Sequence, residues 1–264
     1  MSILIACPCF GGKLEAEFMQ SVLVLIDMFR ENNIKYELQF LANESLISRA
    51  RNSFINKFYE TTTFSHLLFL DADLIFNPIS ILSLIKHNKE LIGCPYAKKK
   101  YNWKKIINYF KTHEDITEQE ILDKGLVHFT DANYNFDKQS SKQGSLFQCK
   151  DIPTGCMLIR RSVITALIMK YPERKYINNI AGQSGNYYYD FFATGVVNGI
   201  YLSEDYYFCH LCRQAGINAW LETGYTIGHI GREIFYTNLE EQLKSNKMDN
   251  LNSDKLLLKA LGAS

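Results

Sequence analysis

Proline is scarce, five in 264 residues, and the fifteen glycines fall into no repeating pattern, which excludes collagen-like and low-complexity classes. Long apolar runs are missing as well. None reaches the roughly 18–20 residues needed to cross a bilayer, and the best candidate, Val22 to Met28, is broken by Asp27. The first residues, Met1-Ser-Ile-Leu-Ile-Ala-Cys-Pro8, lack the basic stretch of an export signal. Charge of one sign is lacking too. With 29 Lys and Arg against 28 Asp and Glu the net charge is +1, so the chain has no global field to grip nucleic acid and no acidic excess. The seven cysteines are an odd count, and Cys209-x-x-Cys212 has no second pair at zinc-site spacing. These absences describe a soluble, intracellular protein with reduced, buried thiols.

What is present is core-forming material: 47% of residues are hydrophobic, enough for one large α/β domain. The first hundred residues alternate strand and helix patterns. Ile3 to Cys7 reads as a buried strand ended by Pro8, Gly11 and Gly12. Glu15 to Asn32 places Phe18, Val22, Leu25 and Phe29 on one helical face. A strand over Lys35 to Leu41 and a helix over Leu46 to Tyr59 follow. His66 to Leu70 is a short continuous apolar run, as expected of a central strand covered on both faces. Asn77 to His87 is a helix with Pro78 in its first turn, and Leu91 to Cys94 is a further strand. Strand-helix alternation at this spacing predicts a wound, mostly parallel mixed sheet.

Beyond Lys98 the pattern changes. Residues from about 104 to 148 read as a polar, aromatic-bearing insertion with a helix near Thr117 to Lys124. Sheet character resumes over Cys149 to Ile159, with a helix over Arg161 to Tyr171. A long aromatic, Asn- and Gly-rich loop then spans Pro172 to Gly199. A helix from Glu204 to Ala215 starts at Ser203, and Ala219 to Glu222 reads as a strand. The organisation expected is a domain over 1–235, with the insertion, and a C-terminal helical tail over 236–264.

Chemistry concentrates in Phe69-Leu-Asp71-Ala-Asp73. Wound sheets bind ligands outside the carboxyl ends of their strands, and these two carboxylates stand at the end of a central one. Neighbouring carboxylates repel unless a positive group lies between them. A divalent hard cation that keeps positions for substrate phosphates is the natural partner. The competing reading makes Asp71 and Asp73 turn and cap residues before the helix at Asn77.

In these residues the sequence resembles the GT-A class of nucleotide-sugar glycosyltransferases, nearest to family 2-like proteins of bacterial, phage and large-virus type. The resemblance is carried by ordered pieces: Ala6-Cys-Pro-Cys-Phe-Gly-Gly12, Ser48-Arg-Ala-Arg-Asn52, the Asp71/Asp73 segment, Pro153-Thr-Gly-Cys-Met157, Ser203-Glu-Asp-Tyr-Tyr-Phe208 and Gly228-His-Ile-Gly231. It implies that Pro8, Cys9 and Phe10 hold the nucleoside, that Asn43 or Glu44 meets the base or ribose, and that Arg49 faces the same cleft while Arg51 points elsewhere. It further implies Asp71 near ribose and metal, with Asp73 and His229 as ligands of Mn²⁺ or Mg²⁺. Gly155 would approach the donor sugar, here a UDP-sugar in preference to a GDP-sugar. Asp205, with Glu204 as substitute, would be the catalytic base of an inverting transfer to a hydroxyl acceptor such as a glycan, protein or modified base. Acids in a first helical turn also suit the helix dipole, and if neither is a base a retaining mechanism stays open.

Two other readings remain at this level. One is nucleotidyl transfer, of which Gly11-Gly12-Lys13 carries only a faint phosphate-loop signature. The other is an inactive glycosyltransferase-like module that binds glycan or nucleotide. Nucleic acid as partner is not favoured by the near-neutral charge, although Lys98 to Lys105 forms a local basic-aromatic cluster. Solvated surface and phosphate contact are the other readings of that cluster.

Overall fold

The computed structural model describes residues 1–113, 115–136, 140–178 and 187–244. In chain order its first elements are β1 (Ser2–Cys9), α1 (Ala16–Glu31), β2 (Lys35–Ala42), α2 (Ile47–Glu60), β3 (His66–Leu70), β4 (Leu74–Phe76), α3 (Pro78–His87) and β5 (Leu91–Gly93). There follow β6 (Ala97–Tyr101), α4 (Trp103–Thr112), a single helical turn α5 (Glu118–Glu120), β7 (Thr130–Ala132), β8 (Ser141–Gln143), β9 (Leu146–Cys149), β10 (Cys156–Arg160) and α6 (Arg161–Lys170). Two short hairpins, β11 (Lys175–Ile177) with β12 (Tyr187–Tyr189) and β13 (Gly195–Val197) with β14 (Ile200–Leu202), precede α7 (Glu204–Gln214). The last strands are β15 (Ala219–Glu222), β16 (Ile227–Ile230) and β17 (Ile234–Thr237).

Eight strands form the central sheet in the order β2-β1-β3-β10-β5-β15-β9-β8. The pairs β1–β2, β1–β3 and β5–β15 are parallel, and β10 runs against both of its neighbours. This mixed, mostly parallel sheet flanked by helices is the wound α/β architecture that the sequence predicts. The continuous apolar strands follow from double coverage. On β1 and β3, Leu4, Ala6, Leu67 and Phe69 join the core that also holds Phe54, Ile55 and Phe58 of α2. Ile3, Ile5, Leu68 and Leu70 face the other way, into the core with Phe18, Val22 and Leu25 of α1. Alternate residues of one strand thus serve two cores, which is the reason the stretches 3–6 and 67–70 carry no polar side chain on either face.

Beyond Lys98 the sequence left a helix unread. The segment taken as an aromatic-rich polar stretch contains α4, whose N-cap Asn102 accepts from Lys105 N at 3.2 Å. The helix expected near 117–124 is present, as the α turn α5 capped by Thr117 and continued by a π-helical turn over Ile121–Gly125 and a 3-10 turn over Leu126–His128. Residues 141–149, placed in the insertion by sequence, pair onto the central sheet as β8 and β9. Of the expected loop at 172–199, residues 179–186 lie outside the described residues, as do 245–264 of the expected tail.

A second, three-stranded sheet, β17-β16-β4, positions the site. Strand β4 begins directly after Asp73 and pairs His229 with Leu74. Ile230 N donates to Asp73 O at 2.8 Å. Residues 156 positions apart in sequence therefore share one sheet edge, beside the carboxyl end of β3.

Candidate active site

A cavity of about 330 Å³ opens at the carboxyl edge of β1 and β3. Pro8, Cys9 and Phe10 line one side, Glu44 and Arg51 another, and Asp71 and Asp73 the floor. Its volume is at the small end of the range for ligand clefts. Phe10 is 78% exposed at the rim. Asn43 adopts a left-handed backbone at φ +62° and lies by the edge, its Oδ1 3.7 Å from where a Cβ on Gly12 would be.

The two arginines of Ser48-Arg-Ala-Arg-Asn52 exchange the places expected of them. Arg49 turns away and binds Glu44 through two hydrogen bonds of 2.6 Å, so that Glu44 is held below the usual carboxylate range by that contact. Arg49 lines a second cavity of about 460 Å³ with Asn52, Arg174, Tyr176 and Asp190. Arg51, expected to point elsewhere, is 4% exposed and lies under the first cleft. Its Nη2 is 3.5 Å from Asp71 Oδ1 and its Nε 3.5 Å from Glu204 Oε1. The guanidinium lies over the rings of Phe69 and Phe192 at 5.7 and 5.9 Å. Nε and Nη1 are buried and make no hydrogen bond. Burial works against the Arg51 charge, yet Asp71 and Glu204 outweigh it and push its pKa up. A signal for Arg51 was available: it stands four and seven residues before Ile55 and Phe58, on the buried stripe of α2.

Asp71 follows β3 directly. Burial pushes its carboxyl up, with Arg51 only partly offsetting this. Gly155 passes so close that a Cβ there would lie 2.6 Å from both Asp71 Oδ2 and Tyr96 Oη. Gly155 N donates to Tyr96 Oη at 3.1 Å, and Asp71 N donates to Gly155 O at 2.8 Å. The glycine is required there for close approach. Tyr96, which sequence reasoning missed, is 5% exposed and packs edge-on against His229 at 4.9 Å.

At the mouth, Asp73 Oδ1 is a buried oxygen without a hydrogen-bond donor, 3.5 Å from His229 Nε2. His229 Nδ1 lies 2.7 Å from Ala97 O. A carbonyl only accepts, so Nδ1 carries a proton and Nε2 is the ring nitrogen turned toward Asp73. Burial pushes the Asp73 carboxyl up, but His229 and Lys99 outweigh it and hold it below the usual range. Lys99, from β6, donates to Asp73 Oδ2. Among the described residues no three metal-ligating side chains stand together. A buried carboxylate oxygen without a hydrogen bond, facing an imidazole nitrogen, nonetheless fits a cation that takes two protein ligands and keeps the rest for water and phosphate.

The acids of α7 sit behind this floor. Asp205 is 9% exposed, and its Oδ1 accepts from Ser203 Oγ and from Tyr206 N, the latter at 2.8 Å. Burial raises its pKa more than these bonds lower it. Glu204 is turned to Arg51. Neither lines the cavity at Asp73; they reach it through Arg51. Cys209 and Cys212, on the same helix, are both buried.

The fold and cleft thus define an α/β protein with a ligand-sized cleft at the carboxyl edge of its central sheet. No family model matches the sequence, and no curated protein matches it. Among solved structures the chain is similar to the crystal structure of A197 from STIV, with a TM-score of 0.46 and 14% identity over 90% of this chain and 95% of that one. The chemistry rests on the geometry of the cleft.

Proposed function

We propose that this chain is a glycosyltransferase that moves a sugar from a nucleotide-sugar donor to a hydroxyl acceptor with a divalent cation. The observation that carries this reading is the unpartnered, buried Asp73 Oδ1 facing His229 Nε2 at the mouth of the cleft. Asp73 and His229 would hold Mn²⁺ or Mg²⁺, with Asp71 beside them, and the bound cation supplies charge to neutralise a departing diphosphate. Pro8, Cys9 and Phe10 take the nucleoside of a UDP-sugar, or of a GDP-sugar. Gly155 lets Asp71 and Tyr96 close onto the backbone, which fixes Asp71 where it would face the sugar.

Arg51 fixes the two acids it touches, Asp71 and Glu204, so that the donor floor and the start of α7 are one unit. Asp205 takes the proton from the acceptor hydroxyl. Both of its hydrogen bonds fall on Oδ1, and Oδ2 is the oxygen that receives the proton. With Asp205 as the base, this reading assigns inversion at the anomeric centre.

The test is the thermal midpoint with UDP-, GDP-, CMP- and dTDP-sugars, each with and without Mn²⁺. A ligand bound only by the native state raises the midpoint. The reading expects a shift for one nucleotide class that requires the cation and disappears in Asp73→Ala. Asp205→Asn should keep that shift and lose transfer. No shift with any donor, from a folded protein, would overturn the reading. Release of pyrophosphate from a nucleoside triphosphate would replace it with nucleotidyl transfer.

A further inference from the structure

Helix α4 has no buried residue although half of it is apolar or aromatic. Trp103, Ile107 and Phe110 are 68%, 53% and 42% exposed. They stand at i, i+4 and i+7, so they form one continuous stripe along the helix. The opposite face is the anchored one. Lys105 reaches inward to Asp131 at 2.9 Å and to Thr130 O, and Tyr109 meets the Phe129 ring at 5.5 Å. Trp103 and Phe110 touch only one edge of the fold, Tyr101 at 6.1 Å and Phe129 at 6.0 Å, and stay largely exposed; such a Trp-Ile-Phe stripe is not what a helix on a protein surface normally presents.

Charge says what covers it. Residues 98–112 contain six lysines and no acid, in a chain whose net charge is only +1. Lys99 and Lys105 are spent on Asp73 and Asp131. Lys100, Lys104 and Lys111 are exposed and form no ion pair among the described residues. Lys104 and Lys111 lie along one flank of the stripe by helical spacing. The centre of the stripe is an aliphatic Ile107, which offers no ring for a base to stack on. An apolar ridge flanked by unpaired ammonium groups matches a partner with anionic headgroups over an apolar interior.

We propose that α4 docks the protein on an anionic lipid surface, with Trp103, Ile107 and Phe110 inserted at the headgroup boundary and Lys100, Lys104 and Lys111 on the phosphates. No helix of the described residues is long and apolar enough to cross a membrane; the attachment is along the surface. The orientation has a chemical consequence. Strand β6 enters α4 through Asn102, and the same strand supplies Lys99 to Asp73 and Ala97 O to His229. Docking by α4 therefore sets the mouth of the cleft beside the lipid. This proposal stands on α4 alone and holds whatever reaction the cleft performs.

The test uses the full chain with two sets of vesicles, phosphatidylcholine alone and phosphatidylcholine mixed with phosphatidylglycerol. The chain has two tryptophans, and Trp220 is 9% exposed in the core, so a blue shift on adding vesicles reports Trp103. Co-sedimentation and a blue shift with the anionic vesicles only are expected. Ile107→Glu with Phe110→Glu should abolish both while leaving the thermal midpoint in place. Lys104→Ala with Lys111→Ala should weaken partition by roughly thirtyfold, the product of two headgroup contacts. Absence of binding to anionic vesicles at low salt would overturn the proposal. So would binding that survives Ile107→Glu with Phe110→Glu. A Trp103 shift with a single-stranded oligonucleotide and none with vesicles would replace lipid by nucleic acid.

Discussion

Two carboxylates close strands of the same sheet at its carboxyl edge, and the difference between them separates structure from function. Glu222, the last residue of β15, is 1% exposed and fully served. His87 and Ser83 meet its Oε2, as does Ser145 at 3.1 Å, and Gly224 N donates to Oε1 at 3.0 Å. Burial pushes its carboxyl up, but these donors outweigh burial and hold it below the usual range. Asp71, after β3, has a single guanidinium at 3.5 Å and a carboxyl pushed upward. Its neighbour Asp73 keeps one buried oxygen with no donor at all. A saturated buried acid is part of the scaffold. An unsaturated one beside a cavity is waiting for a ligand.

The comparison breaks most visibly at Glu222. Glu222→Ala leaves four donors facing each other without an acceptor and should cost about 3–5 kcal/mol in denaturant unfolding. Donor turnover per folded molecule should be unchanged. Loss of turnover in the folded fraction would erase the distinction between the two acids. Asp73→Ala is the mirror experiment: cation-dependent turnover should fall by about 100-fold or more, with a midpoint close to that of the parent. Full turnover would remove Asp73 and His229 as cation ligands.

Gly155→Ala tests whether the place of Asp71 matters. The new methyl would press on Asp71 and Tyr96, so stability should fall by about 1–3 kcal/mol and turnover should fall with it. Stability loss alone would make Asp71 a bystander. The smallest effect is expected at the opposite, amino end of β3. Burial there lowers the pKa of His66 to about 4 from 6.5. A depressed histidine is neutral in the fold, so its contribution is complete above pH 6.5 and is lost as pH falls toward 4. Because the ring is only partly buried and its charge is screened by solvent, that loss amounts to about 1 kcal/mol. Stability measured across this window should slope in the parent and flatten in His66→Gln.

Legibility followed the length and periodicity of each element. The run His66 to Leu70 and the face of Phe18, Val22, Leu25 and Phe29 stated their strand and helix plainly, because both periods were complete. The Asp71/Asp73 pair was found for the same reason: it stands where a readable strand stops. Arg51 was misplaced because a charged side chain on a buried stripe contradicts the usual rule of burial, and only its opposing acids make that position tolerable. Those acids come from β3 and α7, which no local window contains. Lys99 and Tyr96 were hidden in the same way, since their partners Asp73 and Gly155 are 26 and 59 residues distant. Helix α4 went unread because its apolar stripe, interleaved with lysines and left exposed, looked like an irregular polar stretch.

Asn52 closes the site by a route that bears on the order of assembly. Its side chain donates to Asp190 at 2.8 Å and accepts from the backbone of Phe191 and Phe192, across separations of 138 to 140 residues. Phe192 in turn lies against the Arg51 guanidinium. Until that distant segment docks, Arg51 lacks one wall of its pocket, and Asp71 lacks a fixed counter-charge. Closing such a loop comes late for entropic reasons, since long-range contacts are reached only after local ones. The cleft is therefore among the last parts of the molecule to be completed during folding, and a chain that binds its ligand has already passed every earlier step.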